Sequence, residues 1–332
     1  MQCENLISAR RGRTLRHMSS TNFEPINERP GWAKRLFFAC RPWSAPISTV
    51  PVLMGAAIAV AMGAPLRWGR LALTLIGVWL AHAAANLFSD LSDYRRGLDR
   101  VVLPVSGGLA RGWLSERQTF LFGVACLVAS GAIGVWLAAL AGPLPCVVAA
   151  AGFALGLGYP ALKPRAGGDA AVFAAFGPLI ALGTWSVFTA RFSWLPVLWT
   201  SPFGLIVIAV LHANNWRDIT ADRALGIRSV AGLLGDRGSR RYYGALLFGA
   251  YALTTVMIAV PRMVPALGWP AMPWTFLLVF LTLPRAVKLW RRAVPCGEGP
   301  LPPARLTLDA STAEFMTPFG ATNVLAILLA VL

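Results

Sequence analysis

The sequence predicts an all-α integral membrane protein with nine transmembrane helices. Of its 332 residues, 56% are hydrophobic and only 13% are charged, and the mean hydropathy is +0.61. Soluble domains carry about 25% charged residues, and a bilayer core needs about 20 apolar residues per helix. Nine apolar runs approach that length, at 43–63, 69–89, 119–141, 144–162, 170–189, 195–215, 242–261, 269–284 and 315–332. This composition excludes a disordered chain and argues against a soluble globule.

The nine runs differ in how well they fit a membrane helix. The first seven are long enough to cross a bilayer, whereas the eighth is short and is interrupted by Pro273. Glycine and proline occur within the runs, which membrane helices tolerate when neighbouring helices satisfy the freed backbone groups. In the fourth run, Gly152, Gly156 and Gly158 permit close helix packing. The runs therefore predict a closely packed helical bundle.

The basic residues predict the orientation of this bundle. If the N-terminus is cytoplasmic, all but four of the 30 Lys and Arg residues fall in cytoplasmic segments. The four outside are Arg67, Arg70, Arg191 and Arg262. The positive-inside rule therefore predicts a cytoplasmic N-terminus and an outside C-terminus. It also accounts for the net charge of +16 without nucleic acid, for which the sequence carries no binding motif.

The chain is interpreted as a basic, flexible cytoplasmic tail at 1–40 followed by a membrane domain at 41–332. The tail lacks the apolar stretch of a cleavable signal peptide. Short loops and the absence of added domains favour a bacterial plasma membrane.

Acidic residues concentrate in two segments at the cytoplasmic ends of the second and sixth runs. The first segment, HAAANLFSDLSDYRRGLD (82–99), carries Asn86, Asp90 and Asp93. The second, HANNWRDITADRALGIRSVAGLLG (212–235), carries Asn214, Asp218 and Asp222. In both, these residues are three or four positions apart. Such spacings place side chains on one helix face, where carboxylates repel one another. Mg²⁺ would relieve that repulsion, since it takes oxygen ligands and is commonly shared with substrate phosphates. The pattern predicts that the four aspartates hold Mg²⁺ on a diphosphate.

The two acidic segments also indicate an internal repeat. Asn86 and Asn214 are each followed four residues later by an aspartate, and each lies four runs from its counterpart. This predicts two four-helix halves plus a ninth helix around a central cavity. Parallel repeats of this kind place the site between the halves.

Basic and aromatic residues near these segments are candidates for binding the diphosphate. They are Arg41, Tyr159, Lys163, Arg165 and Arg217, together with the two asparagines. Lys and Arg hold phosphate oxygens, although each is also a common anchor at the membrane interface. His82, His212 and Asn215 adjoin the acidic segments, where they either hydrogen-bond to the ligand residues or pack as neutral side chains.

At these residues the sequence resembles the UbiA superfamily of intramembrane aromatic prenyltransferases. The 212–235 segment is most similar to the 1,4-dihydroxy-2-naphthoate prenyltransferases of menaquinone synthesis. The resemblance extends over RPWSAPISTVPVLMG (41–55), GYPALKPRAGGDAAVFAAFGPLIALGT (158–184) and LDASTAEFMTPFG (308–320). It thus covers most of the chain after residue 40.

The resemblance implies Mg²⁺-dependent transfer of a polyprenyl group from an allylic diphosphate to an aromatic acceptor, within membrane lipid. With 1,4-dihydroxy-2-naphthoate as acceptor, it implies loss of the carboxylate as CO₂. Tyr159 would shield the allylic cation by cation–π attraction, and Asp99 or Asp236 would assist deprotonation. Other acceptors are 4-hydroxybenzoate, homogentisate or a tetrapyrrole. The alternative from another class is a non-enzymatic transporter of lipid or diphosphate.

Overall fold

The structure is a computed structural model that describes residues 30–97, 106–297, 299 and 301–330. Most of the predicted tail and Asp99 lie outside these residues. The described chain is helical, and its only bridge of strand type is the isolated pair Arg165 and Arg228. The principal helices, in chain order, are α1 Trp32–Cys40, α2 Pro46–Ala61, α3 Trp68–Arg95, α4 Glu116–Ala141, α5 Leu144–Leu162, α6 Gly168–Thr189, α7 Trp194–Arg217, α8 Ile219–Ala224, α9 Val230–Met263, α10 Leu283–Arg292, α11 Pro303–Leu306 and α12 Leu308–Leu329.

The prediction of an all-α membrane protein is confirmed, but the count of nine spans is not. Six of the described helices are long and apolar enough to cross a membrane, or seven if α1 and α2 form one span bent by 59°. The run at 144–162 forms a shorter apolar helix. The run at 269–284 begins as a 3₁₀ helix, Trp274–Thr282, directly after Pro273. Proline has no backbone N–H to donate, so a regular α-helix cannot continue through Pro273 without losing a hydrogen bond.

The segment predicted as a tail ends in an ordered helix. Residues Trp32–Cys40 form α1, in which Ala39 is buried, and the helix packs against α3. The Arg35 side chain secures the start of α1 by donating to the Pro30 carbonyl over 2.6 Å. The chain then turns through Arg41, which has the left-handed φ of 50°, before α2 begins. This turn brings the Arg41 side chain to the ends of α3 and α5.

The buried core is divided unequally among the helices. A large cluster unites α2, α6, α7, α9, α10 and α12, and its members include Met54, Phe203, Tyr243, Phe276 and Phe319. A smaller cluster joins α1, α3 and α4 through Ala39, Leu87 and Cys126. Because these clusters are separate, space is left between α3 and α4 on one side and α5 and α6 on the other. The ends of α3 and α7 that carry the acidic segments lie together with the end of α5, and we refer to this side as the acidic end of the bundle.

Candidate active site

The last turns of α3 direct a polar face into a cavity at the acidic end. Asn86, Ser89 and Asp93 line this cavity, as expected for residues three or four positions apart on one helix. Asp90 lies to one side of that face. It is buried, forms an ion pair with Arg41, and is covered so closely by the loop after α3 that a Cβ on Gly107 would lie 1.9 Å from its Oδ2. The predicted stripe is therefore divided between the cavity and an internal ion pair.

The end of α5 supplies a cation to the same cavity. Lys163 Nζ lies 3.1 Å from the Asp93 carboxylate, and both residues line the cavity together with Tyr159. Arg165, predicted to bind the diphosphate, is instead exposed and donates to the carbonyl of Ala161 over 3.0 Å. The chain turns away after Pro164, whose carbonyl accepts from the Arg228 N–H.

The second acidic segment is bent at Asp218, where the sequence predicts one continuous helix face. Helix α7 ends at Arg217 and α8 starts at Ile219, so that Asp218 is the single residue between the two helices. The N–H groups of Asp218 and Asp222 still donate to the carbonyls four residues before them, so helical spacing is nearly retained. Arg217 is 7% exposed and is held by Asn214, Asp218 and Asp309, with distances of 2.9 Å to Asp218 and 2.5 Å to Asp309. Its guanidinium is thereby occupied by protein groups.

Asp222 brings the two acidic segments into one electrostatic unit. It is 2% exposed, and among the described residues its Oδ2 has no hydrogen-bond partner. Burial raises the pKa of this carboxyl to about 6, the nearby Lys163 cation opposes the shift, and the charges of Asp218 and Asp93 add to it. Because Asp93 belongs to the first segment and Asp218 to the second, Asp222 lies close enough to both segments to feel their charges. Of these three aspartates, Asp93 lines the acidic cavity, whereas Asp218 and Asp222 lie outside its lining.

Two adjoining spaces lie beside this cluster. The acidic cavity has a volume of about 310 Å³, and its polar lining comprises Arg41, Ser44, His82, Asn86, Ser89, Asp93, Tyr159, Lys163, Asn214 and Asp309. An apolar chamber of about 190 Å³ runs between α3, α4, α5 and α6. The two spaces share lining residues, including Phe88, Gly156 and Phe176. The arrangement can accept a molecule with an anionic head and a hydrocarbon tail.

The remaining predicted residues take different positions. His82 lines both spaces, and its ring nitrogens lie 3.3 Å from Ser44 Oγ and 3.1 Å from Ser48 Oγ. His212 is fully buried and packs edge-on against Tyr242, with ring centroids 4.7 Å apart. Of the two roles predicted for this histidine, its position agrees with the packed side chain. Asn215 is buried in α7 and is not part of the cavity lining.

Asp236 is engaged in a contact network away from the cavity. It accepts from Trp216 Nε1 over 2.7 Å and from the N–H groups of Cys296 and Gly297, and it forms an ion pair with Arg305. This network ties the loop before α11 to the end of α7. A role for Asp236 in deprotonation therefore has no support in its position.

Sequence reasoning did not select Asp309 as a site residue. Asp309 lies in the first turn of α12, lines the acidic cavity and pairs with Arg217. Its signal in the sequence is an acidic residue shortly before the last apolar run, within the LDASTAEFMTPFG segment. A polar group at that position is costly unless it is paired or functional.

The apolar helices define an integral membrane protein. They surround an acidic cavity and an adjoining apolar chamber, which together suit a molecule with a charged head and a hydrocarbon tail. Residues 48–296, three quarters of the chain, match the UbiA prenyltransferase family. The chain belongs to this family and is a prenyltransferase, so the transporter alternative gives way to an enzyme.

The similar proteins agree with this assignment. The chain is 30% identical over 246 residues to "UbiA prenyltransferase domain-containing protein 1" of Danio rerio, covering 70% of this chain and 73% of that protein. It is also 30% identical over 272 residues to the Drosophila melanogaster homolog, covering 78% and 71%. The similarity is therefore to these relatives and not specifically to naphthoate prenyltransferases.

Two solved structures share the fold. A UbiA homolog from Aeropyrum pernix K1 has a TM-score of 0.61 at 20% identity, covering 86% of this chain and 98% of that one. A UbiA homolog from Archaeoglobus fulgidus bound to GPP and Mg²⁺ has a TM-score of 0.59 at 16% identity, covering 87% and 99%.

Proposed function

We propose that this enzyme transfers a polyprenyl group from an allylic diphosphate to an aromatic acceptor, and that the acceptor is 1,4-dihydroxy-2-naphthoate. The observation that supports the transfer is the acidic cavity, which both acidic segments help to line through Asn86, Asp93 and Asn214 and which adjoins an apolar chamber. The UbiA homolog from Archaeoglobus fulgidus bound to GPP and Mg²⁺ has the same fold, which favours the same class of donor here.

The carboxylates fit Mg²⁺ in kind and in charge. In the described part of the chain, no three acidic, His or Cys side chains form a preassembled metal site, because Asp93 and Asp218 are engaged by Lys163 and Arg217. Asp222 keeps one buried carboxylate oxygen without a partner. We propose that Asp93, Asp218 and Asp222 hold the metal, and we retain Asp90 in this set on the sequence pattern alone. When bound, Mg²⁺ supplies Lewis-acid stabilisation of the diphosphate leaving group.

The cations of the cavity bind and orient the diphosphate. Lys163 and Arg41 line the cavity, and charged donors of this kind make strong hydrogen bonds to phosphate oxygens. They stabilise the negative charge that develops as the allylic C–O bond breaks. Arg217 has a different role, since its guanidinium already holds Asn214, Asp218 and Asp309. It positions the second acidic segment.

The apolar chamber holds the prenyl tail, and the acidic cavity holds the reacting carbon. Tyr159 lines the cavity, where an aromatic ring attracts the allylic cation. The electron pair of the ring carbon that carries the carboxylate forms the new C–C bond. Loss of the carboxylate as CO₂ then restores the aromatic ring, and diphosphate is the other product. His82 and its serine partners fix the wall shared by cavity and chamber.

The acceptor and the membrane are the finer parts of the proposal. The 212–235 segment supports a naphthoate acceptor and a place in menaquinone synthesis by resemblance. The proposed location is a bacterial plasma membrane, with the acidic end facing the cytoplasm because nearly all basic residues flank that side.

Product analysis tests this proposal. Purified enzyme in lipid nanodiscs receives farnesyl diphosphate, Mg²⁺ and one acceptor at a time: 1,4-dihydroxy-2-naphthoate, 4-hydroxybenzoate or homogentisate. Mass spectrometry should find a prenylated, decarboxylated naphthalenediol with the first acceptor only. A prenylated product with another acceptor alone would overturn the acceptor, and no product with any acceptor would count against aromatic prenylation.

Filling the apolar chamber should reduce activity on long donors. Gly156 lines both spaces, and a Cβ there would meet no atom within 4 Å, so Gly156→Leu can be introduced without a clash at Cβ and adds side-chain volume to the chamber. We expect kcat/KM for geranylgeranyl diphosphate to fall about tenfold, an effect near 1.4 kcal/mol, with a smaller fall for geranyl diphosphate. The matched control is Gly131→Leu, at another open helix position outside the chamber lining. Equal behaviour of the two variants would place the tail elsewhere.

A further inference from the structure

An arginine lies just beyond the end of the apolar chamber that is opposite the acidic cavity. Arg70, in the first turn of α3, is half-buried. Its Nη1 donates to the carbonyl of Val187 over 2.7 Å, and its Nη2 donates to the carbonyl of Leu140 over 2.7 Å. One guanidinium therefore joins three helices, α3, α4 and α6.

Helix electrostatics explain why the charge lies across the bundle. A cation in the first turn of its own helix is unfavourable, because the N-terminus of a helix carries partial positive charge. Leu140 and Val187, in contrast, lie in the last turns of α4 and α6, where carbonyls have no partner within the helix. Partial negative charge at these two C-termini stabilises the guanidinium.

The same contacts lie at the limit of the chamber. Val187 and Thr74 are the lining residues furthest from the acidic end on α6 and α3, and Leu137 is the furthest on α4. Thr74 Oγ1 donates to the Arg70 carbonyl over 2.7 Å, and Leu137 lies one turn before Leu140. The guanidinium is not part of the chamber lining and lies about one helical turn beyond the residues where the lining stops.

We propose that Arg70 closes the far end of the apolar chamber and limits the length of the prenyl tail that the enzyme accepts. The inference rests on the proposed function, in which the tail lies in this chamber. From Asn86 to Arg70, α3 rises about 24 Å at 1.5 Å per residue, and this is the length available to the tail. A longer tail has to separate the guanidinium from the Val187 and Leu140 carbonyls and so loses two charge-assisted hydrogen bonds.

Binding of thiolodiphosphate analogues with geranyl, farnesyl, geranylgeranyl and solanesyl tails tests Arg70 without an acceptor. Affinity is measured by calorimetry in nanodiscs containing Mg²⁺. The variant Arg70→Met keeps a long side chain but lacks donors. We expect wild-type affinity to rise with tail length and then level off or fall. In Arg70→Met the solanesyl analogue should bind about tenfold tighter than to wild type, a change near 1.4 kcal/mol, with geranyl affinity unchanged.

The controls separate this inference from the proposed function and from simple unfolding. Arg67→Met removes an exposed arginine on the same side and should follow the wild-type profile. Arg70→Gln keeps one donor group and should shift the profile in the same direction by a smaller amount. This second variant tests the proposal even if Arg70→Met does not fold. Identical profiles for wild type and Arg70 variants, or wild-type affinity that still rises to the solanesyl analogue, would overturn the role of Arg70. If no analogue binds wild type, or if Gly156→Leu leaves every affinity unchanged, the proposed tail site itself is wrong.

Discussion

Asp222→Asn is expected to reduce turnover by about 10²–10³, the range seen when one preorganised charge-stabilising group is removed from an active site. Asp222 has a buried oxygen without a partner among the described residues, and it feels the charges of both acidic segments. The amide keeps the shape of the side chain but removes the charge that attracts Mg²⁺. Turnover and Mg²⁺ affinity should therefore fall together, as measured by product formation over a Mg²⁺ titration.

Glu116→Gln is the matched control for this substitution. Glu116 is exposed in α4 and pairs with Arg95, and exposed ion pairs contribute little. We expect its turnover to stay within twofold of wild type, about 0.4 kcal/mol. Wild-type Mg²⁺ affinity in Asp222→Asn would contradict the role assigned to Asp222.

The pKa of Asp222 adds a pH dependence to the same prediction. Because burial raises this pKa to about 6, a proton competes with Mg²⁺ below that pH, and affinity should fall up to about tenfold per pH unit. The charged carboxylate is disfavoured in the fold, so the metal-free protein should lose stability as pH rises through about 6. Both trends, followed by calorimetry and thermal unfolding, should be absent in Asp222→Asn.

Lys163→Met is expected to lower turnover by about 10², because it removes a cation that stabilises the departing diphosphate. Lys163 lies 3.1 Å from Asp93 and lowers the pKa of Asp222. Without the Lys163 cation, the negative charges of Asp93 and Asp222 are no longer offset by a neighbouring positive charge. Mg²⁺ should consequently bind as tightly as to wild type or tighter, while donor affinity and turnover fall.

A fall in donor affinity and turnover without a fall in Mg²⁺ affinity would show that Lys163 binds the diphosphate and does not only neutralise the carboxylates. Lys288→Met, which removes an exposed lysine of α10, should leave both quantities unchanged. A Lys163→Met enzyme with normal turnover, or with Mg²⁺ affinity and turnover reduced in parallel, would show that Lys163 serves the carboxylates alone.

The apolar runs predicted the positions of the helices closely, but they did not predict where the helices end. The run at 69–89 becomes α3, Trp68–Arg95, and the run at 242–261 becomes α9, Val230–Met263. Both helices continue through polar residues beyond the apolar core. Hydropathy detects only the part of a helix that meets hydrocarbon, whereas backbone hydrogen bonding carries the helix further. The polar extension of α3 reaches the acidic cavity, whereas that of α9 is kinked at Gly235 and is not part of the cavity lining.

The partners of the charged residues were the least predictable part of the site. Asp90 and Asp93 differ by three positions, yet Asp90 pairs with Arg41 and Asp93 with Lys163. Arg217 was expected at the diphosphate and is instead held by Asp309, 92 residues later. Charge and spacing give the face of a helix, but the facing side chain depends on how the helices pack.

The sequence by itself determined the membrane-helical class, the two acidic segments and the family, because hydropathy and helical spacing are local properties of the chain. The tertiary structure alone decided that Asp222 and Asp93 share one electrostatic environment, that Arg217 is committed to Asp309, and that Arg70 joins α3, α4 and α6. Each of these depends on contacts between helices far apart in the chain. Helix crossing and side-chain packing set such contacts, and no local pattern encodes them.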